Sequence, residues 1–204
     1  CEVLSRMRLV VGVTGASGVI YAKRLLEVLN EQSVEVDLIV TEQADYLIHY
    51  ELGLSRADFA ALATTQWDIA DFAADIASGS QSRDGMIIIP CTTNTVAKMA
   101  HGVADNLLLR CSDVMLKENR KLIIVPRETP LHETHLENLL RLRRMGVTII
   151  PPITAFYHHP TSILEVVDYI IAKILDQFAI PHELIERWQK PEGGSIYADS
   201  RGPE

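Results

Sequence analysis

The chain has 204 residues, 48% of them hydrophobic, and a formal net charge of -8. That length supports one domain with a substantial core. The acidic balance, with Lys and Arg scattered, excludes a nucleic-acid backbone footprint, and apolar runs such as Met86 to Ile89 and Ile123 to Val125 fall far short of the ~20 residues a bilayer-spanning helix needs.

Short apolar runs alternate along the chain with longer amphipathic segments. Strands are predicted at Leu9 to Thr14, Val36 to Val40, Met86 to Pro90, Lys121 to Pro126 and Val147 to Pro151, most of them continuously apolar, as strands buried on both faces are. Between and after them the spacing predicts helices over Gly18 to Asn30, Gln43 to Tyr50, Val96 to Met99 with Asn106 to Asn119, Leu131 to Met145, and Ser162 to Ala179. In the last, Ile163, Val166, Val167, Ile170, Ile171, Ile174 and Leu175 form one stripe, with Pro160 before it and Pro181 after it. Leu54 to Gly85 reads as short helix and loop. The alternation specifies an α/β fold: a single-domain, doubly wound parallel sheet, Rossmann-like or flavodoxin-like. Residues 1–8 are set aside as an N-terminal extension, residues 9–190 are expected to form the domain, and 191–204 a mobile tail.

Cys1, Cys91 and Cys111 form no CxxC pair and no zinc spacing, and their odd number argues against a disulfide framework. A reduced, cytoplasmic setting is expected. Cys91, at the end of a buried strand, reads as a small buried hydrophobe or, less simply, as a nucleophile.

In open α/β sheets ligands sit beyond the carboxyl ends of the strands, so the loops that start there carry the candidate chemistry. Thr14-Gly15-Ala16-Ser17-Gly18 opens directly into a helix, where small residues and free N–H groups suit a mononucleotide phosphate; a strand-to-helix turn capped by Ser17 uses the same residues. Pro90-Cys91-Thr92-Thr93-Asn94-Thr95 offers hydroxyls and amides to a phosphate or a ring edge, or merely caps a helix. Arg127 and Glu128 follow an apolar strand and Pro126, at the ligand edge. Arg110, Asp113 and Lys117 share a helix face, and Asp113 with Lys117 reads equally as a surface ion pair. Lys173 ends a Glu165, Tyr169, Lys173 ladder that solvated pairing would also explain. Tyr157 lies in an aromatic stretch before a helix. His158 and His159 lack a partner at metal-ligand spacing, and His101, His132 and His135 read as helix or loop residues.

Taken together, Thr14 to Gly18, Pro90 to Thr95, Asn106-Leu107 with Arg110, Asp113 to Glu118, Val125 to Glu128, His135 to Asn138 and Phe156 to His158 resemble the UbiX and Pad-type flavin prenyltransferases, in order and spacing, from about Leu9 to Trp188. The resemblance implies a metal-independent transferase that joins a dimethylallyl group from dimethylallyl phosphate or diphosphate to N5 and C6 of reduced FMN. The product, prenylated FMN, is the cofactor of UbiD-type decarboxylases. It also implies a homo-oligomer, commonly a dodecamer, with FMN at the subunit interface. Carried over residue by residue, FMN contacts fall on Gly15, Ala16, Ser17, Thr41, Thr92, Thr93, Asn94, Thr95 and Arg127. Donor contacts fall on Lys117, Arg127, Glu128, Tyr157 and Lys173, with Glu51 and Arg110 lining the site. Catalysis is assigned to Ser17, Glu128, Lys117 and Arg127. Lys173 stands where the family carries Arg, which keeps the charge and loses the two-pronged grip on phosphate.

Three rival functions remain open on the residues alone. A cysteine decarboxylase of the phosphopantothenoylcysteine type shares the loop near Asn94 and Thr95 but expects Pro-x-Met-Asn where this chain has Pro126-Arg127-Glu128-Thr129. A non-catalytic flavin carrier would leave Lys117, Arg127, Glu128 and Lys173 idle. A structural subunit of a decarboxylase complex would have no turnover alone.

Overall fold

The computed structural model describes residues 6–186; Cys1, Trp188 and the tail expected to be mobile lie outside them. One sheet of six parallel strands organises the described residues: β1 Arg8–Val13, β2 Glu35–Val40, β3 Thr65–Trp67, β4 Gly85–Cys91, β5 Lys121–Pro126 and β6 Thr148–Ile149, in the order β3-β2-β1-β4-β5-β6. The connections from β1 run outward in one direction and those from β4 in the other, so the strand order reverses between β1 and β4 and opens a crevice at their carboxyl ends. The doubly wound α/β fold read from the sequence is the observed one.

Among the described residues seven α-helices cover the two faces: α1 Val19–Glu31, α2 Glu42–Leu52, α3 Arg56–Ala60, α4 Thr93–Ala100, α5 Leu107–Lys117, α6 Glu133–Arg144 and α7 Ile163–Gln177. Period-two alternation divides the apolar residues of each strand between two cores. Leu9, Val11 and Val13 of β1, with Ile87 and Ile123, pack under α1, α2 and α7; Val10, Ile88 and Ile124 pack under α4, α5 and α6. Gly12 leaves room for α5 against the sheet, because a Cβ there would meet Leu108 Cδ1 at 2.9 Å. Arg24 joins α1 to α7 through two hydrogen bonds to Asp168, at 2.7 and 3.3 Å.

The differences from the sequence reading have local causes. β1 begins at Arg8, inside the stretch set aside as an extension, and Met7 packs against the first core. β3 is a short edge strand inside the segment read as helix and loop. It has no apolar run, and Trp67 Nε1 donating to Asp37 Oδ1 at 2.8 Å helps to place it. β6 is only two residues long; the Ile150 amide still donates to Ile124 O at 2.9 Å, but Pro151 and Pro152 have no N–H to continue the ladder. α4 starts three residues earlier than its apolar spacing suggested, because Thr92 caps it by accepting from Thr95 N at 3.1 Å.

Candidate active site

A cavity of about 720 Å³ opens at the carboxyl ends of β1, β4, β5 and β6. Ser17, Gly18 and Tyr21 line it from the β1 loop and α1, Thr93 and Val96 from α4, and Pro126, Arg127, Glu128 and Thr129 from the end of β5. Leu131, His135 and Leu139 close one wall, and Pro151, Pro152 and Ile153 another. It therefore sits where the reversal of strand order puts a ligand crevice.

Thr14 ties the two threonine- and glycine-rich loops together. Its buried hydroxyl donates to Pro90 O at 2.8 Å and accepts from Thr92 N at 2.9 Å, so the loops leaving β1 and β4 are fixed to each other. Gly15 has no room for a side chain, since a Cβ would lie 2.3 Å from Gln43 Cβ at the start of α2. Ala16 is buried and Ser17 exposed to the cavity. Thr92 bonds the buried Thr95 hydroxyl at 2.9 Å, and Thr41 caps α2 by accepting from Ala44 N at 3.2 Å. Asn94 is exposed on the first turn of α4, outside the lining.

Two details change the electrostatic picture. Glu51 reaches from α2 to accept hydrogen bonds from Gly18 N at 2.9 Å and Val19 N at 3.2 Å. A carboxylate thus occupies the positive end of α1, where the sequence suggested a phosphate, and an anion would reach those two donors only by displacing it. Arg127 is held by its backbone, whose N–H donates to Cys91 O at 3.1 Å, while its side-chain Nε is enclosed with no partner. An unpaired guanidinium nitrogen on a cavity wall fits an anionic or carbonyl-bearing ligand, because leaving it unpaired costs ~1–3 kcal/mol or more. Together with the Ser17 and Thr93 hydroxyls and the close backbone at Gly15, the chemistry of these residues fits a flavin mononucleotide. Glu128 is exposed and accepts from Thr129 N at 3.1 Å. Burial raises the Tyr21 hydroxyl above its ordinary pKa, so the phenol keeps its proton. Burial pushes the Cys91 thiol up strongly, which makes it a packing residue and not a nucleophile.

The remaining site residues expected from the sequence lie elsewhere on the protomer. Lys117 ends α5 and pairs with Glu118 at 2.7 Å, next to the start of β5. The six residues of β5, roughly 20 Å of strand, separate it from the cavity edge. Arg110 donates from Nε to Ala77 O at 3.1 Å and from Nη1 to Asp113 at 3.0 Å. Asp113 therefore pairs with Arg110, and Lys117 with its chain neighbour. Tyr157 and Lys173 share one aromatic group: Lys173 Nζ lies 5.4 Å from the centre of the Tyr169 ring, and Tyr157 meets Tyr169 edge-on at 6.3 Å. Neither lines the cavity. The sequence reading missed Tyr21, Leu131, Leu139 and the cavity position of His135; the signal for the last three was their four-residue spacing.

Doubly wound sheet, crevice at the strand reversal and an unpaired arginine beside two hydroxyls define a nucleotide-binding α/β protein. The flavoprotein family model matches residues 2–177. A probable UbiX-like flavin prenyltransferase from Streptomyces sp. (strain D7) is 48% identical over 96% of this chain and 98% of its own length. Among solved structures, a dodecameric FMN-dependent UbiX-like decarboxylase from Escherichia coli O157:H7 is 47% identical, covers 90% of this chain and 100% of its own, and superposes with a TM-score of 0.88. AnUbiX (PadA1) in complex with FMN and dimethylallyl pyrophosphate is 40% identical over 91% of this chain and 98% of its own, with a TM-score of 0.89. This chain belongs to the flavoprotein family, within its UbiX-like flavin prenyltransferase group. A phosphopantothenoylcysteine decarboxylase mutant, at 22% identity, 73% coverage of this chain and 84% of its own, and a TM-score of 0.58, shares the fold alone.

Proposed function

We propose that the protein is a flavin prenyltransferase, taking a dimethylallyl group from its phosphate or diphosphate ester and joining it to reduced FMN. The observation that carries this reading is similarity over 91% of the chain, at 40% identity, to a structure holding FMN and dimethylallyl pyrophosphate together, in a chain whose cavity edge carries Arg127, Glu128 and Ser17. When bound, reduced FMN supplies the nucleophilic N5 and C6 positions.

The chain's own residues do the rest. Ionisation of an allylic ester leaves an anionic phosphate, and Arg127 is placed to hold it; a preorganised donor of this kind is worth ~3 kcal/mol in a water-poor site. Glu128 and Ser17 open to the same cavity, and the proton released on ring closure is assigned to the Glu128 carboxylate or the freed phosphate, with the Ser17 hydroxyl as a relay. Leu131, Leu139 and Ile153 offer an apolar surface to a carbocation-like five-carbon unit. Lys117 and Arg110, distant from this cavity in their own protomer, are assigned to the cavity of a neighbouring copy. A dodecameric relative at 47% identity supports a dodecamer here, in which such a neighbouring copy would exist. Tyr157 and Lys173 are assigned to the donor phosphate, approached from the β6-to-α7 segment. Prenylated FMN is a cofactor for another enzyme, so a UbiD-type decarboxylase is the proposed recipient, in a cytoplasmic setting that suits the unpaired Cys91 and Cys111.

Anaerobic incubation with reduced FMN and dimethylallyl phosphate, followed by mass analysis of the extracted flavin, tests the reading. Gain of one C5 unit is expected; unmodified FMN with both the phosphate and the diphosphate would overturn it.

A further inference from the structure

Leu131, His135 and Leu139 stand four residues apart and all three line the cavity. His135 and Leu139 lie on α6, one turn apart on the same face, and Leu131 precedes the helix. Val96, Pro151 and Ile153 add apolar side chains to the same lining. His135 therefore puts a nitrogen-bearing ring between two leucines in the lining of the cavity that Ser17 and Arg127 also line.

The two ring nitrogens are not equivalent. Nδ1 is enclosed and has no hydrogen-bond partner, whereas Nε2 is not enclosed. The ring stacks on His132, with centroids 3.5 Å apart and planes 28° from parallel. An enclosed nitrogen tolerates an unsatisfied lone pair better than an unsatisfied N–H, since orphaned buried donors are the rarer case. The proton of the singly protonated ring accordingly sits on Nε2, and the ring offers an N–H to whatever fills the cavity. A phosphate, with its several charged oxygens, asks for several donors in one place. A single donor between leucines suits a flat, largely apolar ring carrying an acceptor atom on its edge.

We infer that His135 is a cofactor-contacting residue, whose Nε2–H donates to a carbonyl or nitrogen acceptor on the edge of the flavin ring while Leu131 and Leu139 pack against that ring. This inference rests on the cavity being the flavin site, not on prenyl transfer. Its test is titration of the purified protein with oxidised FMN, followed by the visible absorption bands of the bound ring. His135→Phe keeps a ring stacked on His132 and removes the nitrogen; FMN should bind about tenfold more weakly, the loss of one hydrogen bond, with altered bound-state bands. His135→Gln restores an N–H donor and should recover part of both, and His132→Ala should leave both unchanged. Three results would overturn the inference: wild-type affinity and bands in His135→Phe, the same defect in His132→Ala, or a defect confined to dimethylallyl phosphate affinity. Should His135→Phe not fold, His135→Gln against His135→Met makes the same comparison of donor and non-donor. A wild-type protein that binds FMN but leaves it unmodified defeats the transfer reading and leaves this one standing.

Discussion

Two arginines show how differently this molecule treats buried charge. Arg83 is almost fully enclosed, and so is its partner Asp37, in the third position of β2. Asp37 accepts from Arg83 Nε at 2.5 Å, Trp67 Nε1 at 2.8 Å and Arg8 Nη2 at 3.2 Å, so β1, β2, β3 and the segment before β4 meet on one carboxylate. Arg127, at the other end of the sheet, has a buried Nε with nothing to bond. The first arrangement pairs its carboxylate within the protein and holds the edge of the sheet, with Arg8 Nε, 3.1 Å from Asp37, its one enclosed nitrogen without a directed hydrogen bond; the second has no carboxylate partner and faces the cavity.

That contrast gives the largest expected effect. Asp37→Ala leaves Arg83 buried and unpaired, and removal of one partner from a buried pair costs about 3–5 kcal/mol. A urea unfolding curve should show that loss, or the variant should accumulate as aggregate. A loss below about 1 kcal/mol would mean that water reaches the cluster. Arg127→Leu should behave in the opposite way. Its unfolding midpoint should stay near that of the wild type while prenyl transfer falls about 10²–10³-fold, the usual consequence of removing a preorganised anion-binding donor. If Arg127→Leu unfolds as readily as Asp37→Ala, the distinction between the two arginines is void.

The same contrast explains how far the sequence could be read. Largely apolar runs marked β1, β2, β4 and β5 to within a residue or so, β2 despite Asp37 inside it, because strands covered on both faces have little choice of residue. Nothing marked β3, whose position depends on an indole reaching a carboxylate 30 residues away. For the site, Ser17, Thr93, Arg127 and Glu128 were legible as residues directly beyond strand ends. Glu51 was legible only through the family resemblance, and its place on the α1 N-terminus comes from α2 folding back beside α1, which no local pattern encodes. Lys117 and Arg110 share a helix face, as their spacing indicates, but spacing does not say which end of the sheet that face serves.

Thr14 lies between the two extremes, a buried and fully bonded group that positions the loops around the cavity. Thr14→Val keeps the shape and removes both side-chain hydrogen bonds, leaving Thr92 N–H unpaired and Pro90 O with the Thr14 amide alone, at 3.3 Å. A cost of about 1–3 kcal/mol is expected. FMN affinity should fall as well, because the β1 and β4 loops then keep only the Thr14 N to Pro90 O bond between them. Unchanged FMN affinity alongside lost stability would show that the bond serves the fold and not the site.

The smallest effect concerns the N-terminus of α7, next to the Tyr157 and His158 loop. Glu165 accepts from Thr161 N at 2.7 Å and from Thr161 Oγ1 at 2.9 Å, and these bonds, the backbone one first, hold its carboxyl below the ordinary carboxylate range. A carboxyl lowered in the folded state contributes stability that is fully present above its unfolded pKa, ~4.3, and disappears as pH falls through the lower folded value. Hydrogen exchange at the Thr161 amide, corrected for intrinsic rates, should therefore show protection near neutrality that is lost below about pH 4. In Glu165→Gln the uncharged amide oxygen still accepts, so protection should be weaker near neutrality and insensitive to acid. An identical acid transition in that variant would assign the pH dependence to another group.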